Sequence, residues 1–116
     1  GPEAMRELGP IYTVKVKGNH ESAPYCFSRD WRNYTTNSLM PETQWIAVVE
    51  VAPDLDYGEF YGGIFNVVFR DTPDGNSVAE VYVLDAYFIS DTERRSYADR
   101  IIEQTKNCHL EEPAES

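Results

Sequence analysis

The stretch Asp54-Leu55-Asp56-Tyr57-Gly58-Glu59-Phe60-Tyr61 interleaves carboxylates with aromatic rings. Carboxylates at that density can hold a cation, exchange protons or steer a basic partner. The Asp54 and Asp56 spacing faintly matches the start of a calcium loop, but glycine stands at position 58 where a third ligand is needed, and no helices flank it. Tyr57, Phe60 and Tyr61 are residue types that anchor interfaces. Set among Asp54, Asp56 and Glu59, with Asp71 and Asp74 nearby in sequence, they predict a loop of aromatic anchors inside an acidic rim, suited to a basic protein. The plainer alternative folds the rings back over the sheet edge.

The other reactive residues are few. His20, Cys26, Cys108 and His109 could be assembled into a zinc set, but adjacent Cys108 and His109 cannot easily aim at one metal, and neither half has a close ligand pair. Cys26 with a histidine is the one nucleophile and base pairing the chain offers. Glu50, Glu80 and Asp85 fall in strand segments, where alternation can place each in solvent. Gly62-Gly63 precedes a strand, which lacks the helix N-terminus of a phosphate cradle. Arg29, Trp31 and Arg32 could grip an acidic group, or pair internally with Asp30. These residues predict no catalytic centre, no metal and no cofactor.

Cys26 and Cys108 read as reduced and partly buried, with a single disulfide from the early loop to the C-terminal segment as the alternative. Asn33-Tyr34-Thr35 is a sequon short enough to arise by chance. No run of about 18 apolar residues exists, so an integral membrane protein is not expected; nothing at the start resembles a signal peptide, which leaves secretion open, and the expected compartment is the cytoplasm. Gly1-Pro2 looks like what a protease leaves behind, and residues 1–10 read as a tag remnant and flexible N-terminus.

Charge is unevenly spread. The 116 residues carry a net charge of −10. Residues 42–93 hold eleven acids and one base, Arg70, which equals that whole net charge, while both flanks are nearly neutral. Such a field repels phosphate backbones and anionic membranes and speeds association with basic proteins.

The elements that must carry these groups follow from periodicity. Residues 11–17 alternate at period two, with Tyr12, Val14 and Val16 on one face. Residues 20–42 show no period and read as a long irregular connection with room for one short helix or strand. Three segments rich in β-branched and aromatic residues follow, 45–51, 64–70 and 78–88, the last two joined as a hairpin through Asp71 to Ser77. Ser90-Asp91-Thr92-Glu93 matches a capping box, and Tyr97, Ala98, Ile101, Ile102 and Thr105 form a helical stripe, with Arg94 and Arg95 on the wet side.

The predicted fold is α+β: a single antiparallel sheet of four to five strands in a meander with a C-terminal helix packed on one face, over residues 11–108, then an acidic tail at 109–116. Val48, Val67, Phe69, Val81, Val83 and Ile101 are the predicted core. By charge and size the chain resembles small acidic inhibitors: immunity proteins and antitoxins, nucleic-acid mimics and phage anti-defence proteins. The competing expectation is a small-ligand pocket between sheet and helix, lined by Tyr12, Tyr82, Tyr87 and Tyr97.

Overall fold

A computed structural model describes residues 2–36, 48–51 and 56–111, with 48–51 known by their backbone pairing. The expected strand start at Trp45, the Asp54 carboxylate and residues 112–116 lie outside that set. Five antiparallel strands, β1 (Tyr12–Val16), β2 (Val48–Val51), β3 (Tyr57–Tyr61), β4 (Phe65–Asp71) and β5 (Ser77–Val83), lie in the order β1-β5-β4-β3-β2. β2, β4 and β5 are the three meander strands read from the sequence, β3 falls in the stretch read there as a loop and adds a fourth, and β1 pairs with β5, Tyr12 opposite Val81.

Two helices cover one face. α1 (Ala23–Thr36) packs on β2 and β3, and α2 (Asp91–Gln104) packs on β5. Alternation sorts the strand side chains: Phe60, Phe65, Val67, Phe69, Ala79, Val81 and Val83 face the helices and are fully buried. Ile101 joins them, so the predicted core holds wherever its side chains are described. Val48 stands opposite Tyr61 in the backbone register.

α1 corrects the reading of residues 20–42 as irregular as far as Thr36, and 37–42 lie outside the described residues. The Asn19 carboxamide accepts from the amides of Glu21 and Ser22, and Pro24 sits in the first turn, where its missing N–H costs nothing. Ala23, Phe27, Trp31 and Tyr34 then recur on one face and enter the core, Tyr34 only partly.

Strand β5 ends at Val83, five residues before the predicted end at Phe88. Arg94 from α2 donates to the carbonyls of Val83 (3.1 Å) and Leu84 (3.2 Å), where a longer strand would place ladder partners. Arg94 is therefore mostly buried rather than wet. The Ser90 and Glu93 capping box forms as read, both bonds at 3.1 Å. The helix stops at Gln104, short of Asn107, where the Thr105 hydroxyl donates back to the Ile101 carbonyl at 2.7 Å.

The ends of the chain finish the sheet. Residues 108–110 run beside β1, with Lys17 donating to Cys108 and Leu110 donating to Lys15, both at 2.9 Å, so that edge is not left bare. Cys26 of α1 is disulfide-bonded to Cys108, Cα to Cα 6.0 Å, which corrects the reading of two reduced thiols. Pro2–Arg6 form a 3-10 turn against β4 and β5 on the face opposite the helices.

A bond spanning 82 positions restricts the unfolded chain strongly. Replacing both cysteines with serine should lower the unfolding free energy by about 4 kcal/mol, measured from urea midpoints with the oxidised protein as reference. A loss under about 1 kcal/mol would show that the sheet and its aromatic core hold the C-terminal segment without the covalent tie.

Candidate functional site

The residues expected to form one aromatic and acidic loop are dispersed. Tyr57 to Tyr61 are strand β3, so alternation splits them between two faces. Phe60 is fully buried, its ring 5.0 Å from Phe65 and 6.4 Å from Phe27, and cannot anchor a partner. Tyr57, Glu59 and Tyr61 point to the opposite face, where Tyr57 and Tyr61 are half-buried and Glu59 is 7% exposed. Asp56 is exposed, and the pairing of Tyr57 with Arg70 brings it to the same end of the sheet as Asp71 and Asp74.

Asp71 and Asp74 already have partners. The Asp71 carboxylate accepts from the His20 amide at 2.7 Å and meets His20 Nδ1 at 2.6 Å. Partial desolvation pushes its pKa up, but the His20 amide and ring outweigh this and hold the carboxyl below the ordinary range. Asp74 closes its own turn, accepting from the Thr72 hydroxyl at 2.6 Å and the Asn76 amide at 3.1 Å, and both bonds hold it low as well. The turn needs Gly75, whose φ is +84°.

The pair of Asp71 and His20 has the form of a base and its orienting group. His20 Nε2, however, is buried with no hydrogen-bond partner among the described residues, and the nearest carboxylate oxygen is Glu21 Oε1 at 4.0 Å. A β-carbon at position 58 would lie 2.1 Å from the His20 carbonyl oxygen, so Gly58 is what lets this turn press onto β3. The pair pins residues 18–20 to the sheet. Near Cys108, the Asp30 carboxylate is 3.4 Å from Sγ, but oxidised sulfurs offer a metal no thiolate. Of the residues that could grip an acidic group, Arg29 pairs with Asp30, Trp31 is buried in the core and Arg32 is exposed.

The second face of the sheet carries a polar network. Arg6 pairs with Glu59 and donates from Nε to Asn66 Oδ1 at 2.8 Å, and Arg70 donates from Nε to Glu80 at 2.9 Å. Both guanidinium carbons lie 5.5 Å from the Tyr57 ring centre. Burial, then the Glu80 carboxylate, pushes the Tyr82 hydroxyl above the ordinary tyrosine range, so it stays protonated and donates to Glu80 at 3.2 Å.

What the sequence did not single out as an anchor is the connection from β5 to α2. Tyr87 is fully exposed and Phe88 is 63% exposed, their rings edge to face at 5.5 Å and 90°. Asp85, Asp91 and Glu93 flank them in sequence, all exposed. Arg94 and a bond from the Ile89 amide to the Ala86 carbonyl (3.0 Å) fix this turn. Beside it a groove of about 460 Å³ runs between Ile64, Val83 and Ile89 on one side and Ser96, Tyr97 and Arg100 on the other. Of the four tyrosines expected in a pocket, Tyr97 alone lines it. Tyr12 donates to Asp99, Tyr82 lies on the second face and Tyr87 stands in solvent.

No family model matches this chain, and no match is found among curated proteins or solved structures.

Acid should destabilise the protein in two windows. Burial holds His109 below its ordinary pKa, so folding favours the neutral ring and stability falls as pH drops below about 6.5. Asp71, Asp74 and Glu93 are held low, so their contribution is present above about pH 4 and lost as pH falls through their folded values. Urea midpoints from pH 3 to 8 should show that His109→Gln flattens the upper limb and Asp71→Asn the lower. Unchanged limbs would assign acid sensitivity to other groups.

Proposed function

We propose that this is a small acidic binding domain that occludes a basic site on a partner protein, with the turn bearing Tyr87 and Phe88 as its anchor. The observation that carries this is the exposed aromatic pair. A monomer gains nothing by holding two edge-to-face rings in solvent at the tip of a fixed turn, whereas rigid aromatics inside an acidic rim are the residues an interface uses. Arg94 takes up the neighbouring carbonyls, so little ordering cost is left to meet on binding.

Charge supports the same reading. Residues 42–93 carry the acidic excess, and Asp85, Asp91 and Glu93 are the members of it that flank the aromatic pair. A partner that binds nucleic acid itself has a matching basic groove, which fits the inhibitor, immunity or anti-defence class. No helix among the described residues is long and apolar enough to cross a membrane. The bond from Cys26 to Cys108 favours an oxidising compartment over the cytoplasm expected from the sequence. The groove beside the tip is read as a seat for a partner side chain, since Ile89 joins it to the aromatic pair.

Affinity capture at about 50 and 300 mM salt should retain a basic protein in stoichiometric amount from its source, more firmly at the lower salt. Tyr87→Ala and Phe88→Ala should each weaken that complex by about 2 kcal/mol, roughly 30-fold, mainly through faster dissociation. Their stability should stay within about 0.5 kcal/mol of the parent, while Phe60→Ala should cost about 3–5 kcal/mol. Equal retention by the tip variants would sink the assignment of the anchor.

A further inference from the structure

We propose that the face of the sheet opposite the helices is a receptor for a guanidinium group, occupied here by the chain's own Arg6 and open to an arginine side chain of a basic partner in exchange. The proposal deepens the basic-partner reading and rests on it for the identity of the incoming arginine.

The site is built by strands. Glu59 on β3 supplies a buried carboxylate, Asn66 on β4 supplies Oδ1 at 2.8 Å from Arg6 Nε, and the Tyr57 ring lies 5.5 Å from the guanidinium carbon. A planar fork satisfies such a set, with one edge on the carboxylate and amide and one face on the ring. Asn66 is fully buried, and its Nδ2 has no partner among the described residues, so the guanidinium supplies the one hydrogen bond its side chain makes there. An ammonium ion could meet the charge but not the geometry.

The occupant, unlike the receptor, belongs to no strand. Arg6 ends a five-residue 3-10 turn and is followed by exposed Leu8 and then Gly9, which has φ +82° and nothing near its missing β-carbon. The chain rejoins the sheet where the Ile11 amide donates to Val81 at 2.8 Å. Residues 2–9 are thus an arm hinged at Gly9. The neighbouring pair, Arg70 with Glu80, makes the contrast, because the backbones of both members are fixed in strands of the sheet. Two guanidinium groups share one tyrosine, and the one from the arm is the one whose backbone lies outside the sheet.

The test empties the site and offers a small probe. Arg6→Ala, titrated with methylguanidinium chloride against matched sodium chloride, should show saturable amide shifts at Tyr57, Glu59 and Asn66 with a Kd of millimolar order. The parent should bind the probe at least about tenfold more weakly, and methylammonium should bind Arg6→Ala several-fold more weakly than methylguanidinium. Arg6→Ala combined with Glu59→Gln should not respond. A folded Arg6→Ala protein without saturable shifts, or with equal response to both cations, overturns the proposal. Arg6→Met keeps the aliphatic stem if the alanine variant does not fold; if neither folds, Arg6 is a fixed strut and exchange is refuted. Because the probe needs no partner, saturation here with no protein captured at Tyr87 would leave this site standing and remove the partner reading alone.

Discussion

The seat of α1 on the sheet is the interaction from which the other features follow. Phe27 stands edge-on to Phe69 at 4.9 Å, and Trp31 meets Phe65 at 5.5 Å and Tyr97 at 5.8 Å, so two residues of one helix touch β4 and the other helix. Little in α1 favours a helix locally: proline, serine, asparagine and two threonines are spread along 14 residues. Its helicity is bought by burying those two rings, as is usual for short helices. Once α1 is seated, Cys26 faces Cys108, and the C-terminal segment is held along β1.

That dependence explains what could be read from the residues and what could not. Strands β1, β2, β4 and β5, the hairpin through Gly75 and the capping box at Ser90 are local, set by alternation, turn chemistry and one reciprocal hydrogen-bond pair. They were legible for that reason. α1 was visible only as Ala23, Phe27, Trp31 and Tyr34 at helical spacing, a signal masked by the weak formers between them. The disulfide depends on where α1 sits, so no spacing rule could select it over two free thiols. The density of acids and glycines around Tyr57 to Tyr61 reads as a loop and hides the place of Phe60. Read as a strand, the same five residues alternate, which sends Phe60 to the core and Glu59 to the other face.

The same alternation separates acids that hold the structure from acids that remain available. Asp71 is tied to His20, Asp74 to its own turn and Glu59 to Arg6, so each is spent on a fixed geometry. Spent carboxylates steer weakly, since a neighbouring cation or donated hydrogen bond offsets their field. Asp56 at one end of the sheet, and Asp85 and Asp91 at the other, have no such offset among the described residues, except that Arg94 lies 3.6 Å from Asp91. Charge counted from the sequence therefore overstates the charge an approaching protein would meet.

Under the proposed function, steering and anchoring would belong to different parts of the molecule. The long-range field would come from the acids not offset by a neighbouring cation or donor and act before contact, falling off over a Debye length of about 8 Å at physiological salt. The short-range gain needs apolar area removed from water, and among the described residues the exposed large side chains are Leu8, Tyr25, Tyr87 and Phe88. Tyr87 and Phe88 alone of these pack edge to face on one another, and they sit on a turn that follows carbonyls held by Arg94. Orientation at the encounter would then be set by the acids around that turn, and residence by the two rings. A mutation at Asp85 and one at Phe88 should act on different rate constants even though the residues lie three positions apart.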